Sequence, residues 1–234
     1  MAIRRKGYPY KVIYVDPPWT YDNARSDNAK LGGSKYDKMT MAELKDLPIK
    51  DLGQEDCGLF MWATLPKLPE AIELMKSWEF TFTTVPFVWI KTDRLARTIR
   101  HQTSTSQEPF HSEEALMLKD IYSGMGSWTN GNAEIVLFGK RGAPKRKKKN
   151  IKQIVIAPLG RHSAKPPEVR DRIVSVMGNV SRIELFAREN TKGWDAWGNE
   201  KGLEVDLNIA DGMVHIGRYT CLLYTSDAAD DLLC

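Results

Sequence analysis

The chain has 234 residues, 42% of them hydrophobic and 27% charged, which suits one globular domain and excludes a disordered or fibrous protein. No stretch approaches the roughly 20 apolar residues of a membrane-spanning helix, and Met1–Lys6 lacks a signal peptide's apolar run, so a soluble intracellular protein is expected. Cys57, Cys221 and Cys234 lack the paired spacings of a zinc site or a disulfide framework, and the net charge of +4 conceals one basic segment, Arg141–Lys152, with seven Lys and Arg and no acid.

In chain order, Lys11–Val15 is a β-branched and aromatic run that predicts a strand ending at Asp16-Pro17-Pro18. Thr40-Met41-Ala42-Glu43 has the spacing of a capping box and predicts a short helix to about Leu47. Cys57–Trp62 reads as a buried strand, and Pro69–Trp78 as an amphipathic helix with Ile72, Leu74, Met75 and Trp78 inward. Thr81–Ile90 returns to strand composition, interrupted by Pro86. Residues 92–112 are polar and aperiodic, a long loop followed by a short helix over 113–121. Ala133–Phe138 and Gln153–Ala157 are strands flanking the exposed basic run. Pro166-Pro167 opens a helix with Val169, Ile173, Val174 and Met177 on one face, ended by Gly178-Asn179, and Arg182–Ala187 is the last strong strand. This alternation predicts a single α/β domain with an open sheet, whose ligands sit beyond the carboxyl ends of its strands. Residues 1–200 form that domain and 201–220 an extension. Cys221–Asp230 resembles a sequencing-library adapter translated in one reading frame, so residues 221–234 are read as a non-native tail.

The turn Asp16-Pro17-Pro18-Trp19 carries chemistry. Two prolines fix the backbone, remove two donors and leave the Pro17 carbonyl free beside the Asp16 carboxylate. Both acceptors can face one NH₂ group, and Trp19 offers a face on which a planar base stacks for about 1–3 kcal/mol. An exocyclic amine on a heterocycle is a poor nucleophile until its lone pair leaves conjugation. Hydrogen bonds from its two protons to these acceptors favour that geometry, and an electrophilic methyl group would complete the reaction.

With this turn come Gly58–Trp62, Trp89–Thr92, Ser163–Pro166, Ile183–Arg188, Gly193-Trp194 and Trp197–Glu200, in that order. Over about residues 10–200 the sequence resembles the adenine-N6 methyltransferases with an Asp-Pro-Pro-Trp motif, the MT-A family. These include the catalytic subunit that methylates eukaryotic messenger RNA and many bacterial and phage DNA adenine methyltransferases. The resemblance implies a Rossmann-like S-adenosylmethionine-dependent methyltransferase fold with Asp16, Pro17, Pro18 and Trp19 catalytic. It implies cofactor contacts from Asp16, Ser163, Lys165, Pro166, Arg188, Asn190, Asn199 and Glu200, and an adenine pocket lined by Tyr36 and Met39, with Trp128 as a further candidate. No metal is expected, given the cysteine spacing. Read alone, Lys165 is equally a solvated lysine at a helix start, and Arg188 a partner of Glu184 or Glu189. Residues 98–123 form a longer segment than in the messenger-RNA enzyme, which leaves the recognition sequence unread.

A buried target base must be flipped out or presented on a single strand, and either route needs a grip on phosphates. Lys145, Arg146, Lys147, Lys148 and Lys149, helped by Arg141, Lys152, Arg94, Arg97 and Arg100, are the expected phosphate surface. DNA is preferred over RNA as the partner by analogy with the short bacterial and phage members. A homo- or heterodimer, or a non-catalytic nucleic-acid-binding partner subunit, stays open as an alternative. Inactive subunits of the family typically lose the four-residue motif, which is intact here.

Overall fold

A computed structural model describes residues 10–20, 38–92, 121–122, 124, 126, 128–160 and 164–198, with the backbone of three strands between 207 and 222. Tyr36, Ser163, Asn199 and Glu200, the arginines at 94, 97 and 100, and nearly all of the expected loop and helix over 92–121 lie outside these residues.

The central strand β1 (Tyr10–Val15) alternates its side chains between two cores, as a strand covered on both faces must. Ile13 and Val15 point to one core and Val12 and Tyr14 to the other. β2 (Gly53–Ala63) repeats the division, with Leu59, Met61 and Ala63 on the first side and Phe60 and Trp62 on the second. The first core is covered by α1 (Met41–Asp46) and α2 (Leu68–Ser77), the second by α3 (Pro167–Met177). The capping box is present: the Glu43 amide donates to the Thr40 hydroxyl, and the Thr40 amide to the Glu43 carboxylate. In α2 the fully buried positions are Ala71, Leu74 and Met75, with Ile72 half-buried at their margin. In α3 an arginine, Arg170, takes an inward position beside Val169, Ile173 and Met177, while Val174 is half-buried.

Seven strands form one sheet in the order β5-β3-β4-β2-β1-β6-β7, with β3 Thr81–Thr92, β4 Ala133–Arg141, β5 Ile154–Pro158, β6 Arg182–Leu185 and β7 Asp195–Trp197. All pairings are parallel except those of β4, which runs antiparallel between β2 and β3. The β3–β4 register shifts between Thr84 and Phe87, around Pro86, which has no amide to donate. From β1 the chain builds outward through β2, β3 and β5, then returns by α3 to add β6 and β7 on the other side of β1. The switch in strand order therefore falls at the carboxyl ends of β1 and β6, the crevice where open α/β sheets bind ligands.

β6 ends two residues earlier than its apolar run predicts. Phe186 turns the chain with φ 57° and rests against Trp197 at 5.1 Å between ring centroids. The three-residue β7 and a second sheet, an antiparallel meander of β8 (Leu207–Ala210), β9 (Met213–Ile216) and β10 (Tyr219–Leu222), were not legible as strands; β10 runs across the boundary placed at residue 221. Among the described residues no helix is long and apolar enough to cross a membrane.

Arg141, at the end of β4, is a structural residue. Its guanidinium donates to the carbonyls of Lys50 (2.6 Å), Gly53 and Gln54 and lies 5.2 Å from the Phe80 ring. Three carbonyls at the β2 start thus depend on one charged donor. Arg141→Ala is expected to cost about 2–3 kcal/mol, read as a lower urea midpoint at unchanged slope.

Candidate active site

At the carboxyl end of β1 the chain turns abruptly. The Trp19 amide donates to the Pro17 carbonyl (2.9 Å) and the Met39 amide to the Pro18 carbonyl (3.0 Å), while the Thr20 hydroxyl donates to the Met39 carbonyl (2.6 Å). Met39 thus braces the turn through its backbone, its half-buried side chain packing on the first core. The sequence led us to expect a free Pro17 carbonyl, but the tight turn gives it the Trp19 amide, leaving its second lone pair for a ligand. Trp19 is 8% exposed, and among the described residues its buried indole N–H has no hydrogen-bond partner.

Four charged side chains from four segments meet at this end of the sheet. Lys165, just ahead of α3, places its ammonium 3.2 Å from an Asp16 oxygen and 2.8 Å from Glu134, whose other oxygen receives Lys91 at 2.6 Å. The result is an alternating chain, Asp16–Lys165–Glu134–Lys91. Lys165 is 15% exposed and is no solvated lysine. Pro166, buried, fixes the backbone at the N-cap of α3 immediately after it. Beneath the chain, Trp62 and Trp89 meet edge to face at 6.0 Å, with the Lys165 ammonium 5.3 Å over Trp62 and that of Lys91 5.4 Å over Trp89. Trp62 donates to the buried Tyr14 hydroxyl and Trp89 to the Ala157 carbonyl, so both rings are fixed.

Burial pushes the Asp16 carboxyl up, against the pull of Lys165 and Arg188. Burial also opposes the charges of Glu134 and Lys165, but here the partners prevail: the two lysines hold Glu134 below the ordinary glutamate value, and the two carboxylates hold Lys165 above the ordinary lysine value. If ionised Asp16 is the working form, activity should fall on acidification at a pH above 3.8, the ordinary aspartate value. A pH–rate profile with its acid limb at or below that value would contradict the assignment. Stability linked to Glu134 runs in the same direction, being present above 4.5 and lost as pH falls through its lowered value.

Arg188, in the turn after β6, acts electrostatically on Asp16. Both acids that the sequence alone offered to Arg188 are bound by Arg170, which donates to Glu184 (2.9 Å), Glu189 (3.1 Å) and the Thr191 hydroxyl (2.7 Å). Arg170 thereby ties α3 to the loop that carries Arg188. Asn190, farther along that loop, lines a cavity with residues 179–182 at the amino ends of β6 and β7, away from Asp16. Trp128 is 97% exposed in the segment preceding β4, on the Asp16 side of the sheet, where Gly124 and Gly131 exchange backbone hydrogen bonds. The run Lys145–Lys149 is exposed but follows the other end of β4, so it does not join the site.

Glu134 and Lys91 were not singled out from the sequence. Their signals were slight: one acid at the start of the apolar run Ala133–Phe138, and one lysine inside the Trp89–Thr92 motif. Burial pushes the Cys57 thiol up to about 12, marking it as a core residue. Among the described residues no group of three or more His, Cys, Asp or Glu could hold a metal ion.

The family model MT-A70 matches residues 10–200. The chain is 32% identical over 209 residues to the type II methyltransferase M.MunI of Mycoplasma sp, covering 82% of this chain and 77% of that protein. It is 27% identical over 211 residues to the human N(6)-adenine-specific methyltransferase METTL4 (86% and 40% covered) and 25% identical over 194 residues to the human N(6)-adenosine-methyltransferase catalytic subunit METTL3 (82% and 28%). The chain therefore spans less than half the length of these two human relatives. The motifs resembling adenine-N6 methyltransferases, the switch-point turn and the match over 10–200 converge: the chain belongs to the MT-A70 family.

Proposed function

We propose that the protein transfers a methyl group from S-adenosylmethionine to the exocyclic N6 amine of adenine in DNA. The observation that carries the reading is Asp16, held at the switch point with its carboxylate against Lys165 and next to a carbonyl with a spare lone pair. DNA is favoured by the similarity to a type II methyltransferase over most of that protein's length and to an adenine-specific enzyme. A second reading, adenosine in RNA, is supported by the similarity to METTL3.

MT-A70 methyltransferases generally use S-adenosylmethionine, and the residues present fit it by charge. Asp16 and Glu134 suit its ammonium, and Lys165 and Arg188 its carboxylate and hydroxyls. The Trp19 indole N–H, without a partner among the described residues, adds a buried donor beside the same turn. When bound, the cofactor supplies a methyl group on a sulfonium, already electrophilic. The protein's part is positioning: Asp16 and the Pro17 carbonyl accept hydrogen bonds from the two amine N–H groups, turning the nitrogen lone pair out of the ring plane, and the methylated nitrogen then sheds one of these protons. Lys165 keeps Asp16 oriented, and Glu134 with Lys91 keeps Lys165 oriented. Trp128 offers an exposed face for a base or its neighbour.

The test is incubation with methyl-labelled S-adenosylmethionine and matched DNA or RNA, digestion, and mass spectrometry of the nucleosides. Label on N6-methyldeoxyadenosine is expected. Label on N6-methyladenosine alone would install the RNA reading, and no label despite cofactor binding would favour a non-catalytic partner subunit.

A further inference from the structure

The antiparallel strand β4 measures the sheet from end to end. Glu134 belongs to the charged chain at the Asp16 end, and Arg141 pairs with Cys57 near the start of β2. At about 3.3 Å per residue the two ends lie roughly 23 Å apart. The basic run leaves from the far end and lies across the end of α3. The Lys147 amide donates to the Val176 carbonyl (2.7 Å), and its side chain passes Gly178, where a Cβ would stand 3.0 Å from Lys147 Cγ. With φ 85°, Gly178 suits this crossing through both its backbone and its missing side chain.

The next residues, Asn179–Arg182, form one wall of an open cavity of about 500 Å³, with Asn190–Asp195 as the other. Arg182 donates to the Val180 carbonyl (3.1 Å) and the Asn179 side-chain oxygen (3.0 Å) and lies 5.5 Å from the Trp194 ring. Among the described residues its buried Nε has no partner and no carboxylate forms an ion pair with its guanidinium. The lone acid of the lining, Asp195, accepts from the Tyr10 hydroxyl at 2.7 Å. Exposed Lys192 adds a second positive charge. A recess with an uncompensated guanidinium, a neighbouring ammonium and amide donors has the chemistry of a phosphate receptor.

We propose that this cavity is a second nucleic-acid contact, which takes a backbone phosphate on Arg182 and Lys192, with Lys145–Lys149 leading the strand to it. The inference rests on the nucleic-acid substrate proposed above. It makes one geometric demand: Arg182 is in register with Val12, four residues or roughly 13 Å short of Asp16, so a duplex must extend about 4 base pairs from the reacting adenine, at roughly 3.4 Å each, before it reaches the cavity.

The experiment compares the full chain with an R182Q/K192Q variant on duplexes of about 5 base pairs, closed by a hairpin, and about 30 base pairs, each with a central adenine, measuring affinity against salt and methyl transfer. The wild type is expected to prefer the long duplex by more than about tenfold, and the variant to lose most of that preference with a salt slope smaller by about 2. Turnover on the short duplex stays unchanged. An unchanged preference and slope in the variant, with methylation intact, would overturn the second contact while sparing the proposed activity. Absence of methylation in the wild type would overturn the activity instead, and the binding comparison would still be read. Should R182Q/K192Q fold poorly by circular dichroism, K192E alters an exposed side chain alone and is expected to move both quantities in the same direction; no movement would overturn the proposal.

Discussion

Asp16→Asn is expected to lower the rate of methyl transfer by about two to three orders of magnitude, the loss typical of removing one preorganised group from a reacting centre. Asparagine keeps the shape of the side chain but replaces one acceptor oxygen with an NH₂ group and discards the charge. The amine of the target base would then meet a donor, or an amide oxygen far weaker than a carboxylate. Lys165 retains Glu134 at 2.8 Å, so the fold has no cause to collapse. Steady-state assays with labelled cofactor, beside a thermal melt, separate the two effects. Turnover within tenfold of the wild type would remove Asp16 from the chemistry.

Glu134→Ala should be the most destabilising single change in the site. Glu134 is 12% exposed and lies between two ammonium groups, at 2.6 Å from Lys91 and 2.8 Å from Lys165, each 15% exposed. Removing it leaves two largely buried cations facing one another, with Asp16 as the remaining counter-charge. The expected cost is about 3–5 kcal/mol, or roughly 10 °C in melting temperature. The double change Lys91→Met with Glu134→Ala should restore part of that loss, because it removes one of the stranded charges. Urea unfolding of the three variants checks this, and a loss below about 1 kcal/mol for Glu134→Ala would show that the lysines find water instead.

The elements legible in the sequence were those whose information is local. The capping box at Thr40–Glu43 and the period of α3 are examples, as is the buried run of β1 stopped by two prolines; each rests on contacts within a few residues. Asp16, Lys165 and Arg188 were reached through motifs, and the structure brings all three to one end of the sheet. What stayed hidden depends on distance along the chain. Glu134 becomes a site residue because β4 runs antiparallel, and no spacing encodes that. The same reversal carries Lys145–Lys149 to the far end of the sheet, although its charge alone placed it with the substrate. Arg170 reads as a helix-surface arginine until Glu184 and Glu189 are seen to enclose it. The three-residue β7 is too short for periodicity to register.

The order of the strands also bears on how the chain reaches its structure. β1 is flanked by β2, whose residues follow within about fifty positions, and by β6, whose partner for Val12 is Arg182. During synthesis at about 5–20 residues per second, roughly 10–30 seconds separate the appearance of β1 from that of the strand that closes its second edge. Through that interval β1 is an open edge carrying a row of apolar side chains, and the Asp16 turn lacks one wall of its crevice. Parallel pairings this distant in sequence are slow to form. Renaturation from urea should therefore show core fluorescence recovering ahead of cofactor binding, with the lag set by the docking of α3 and β6.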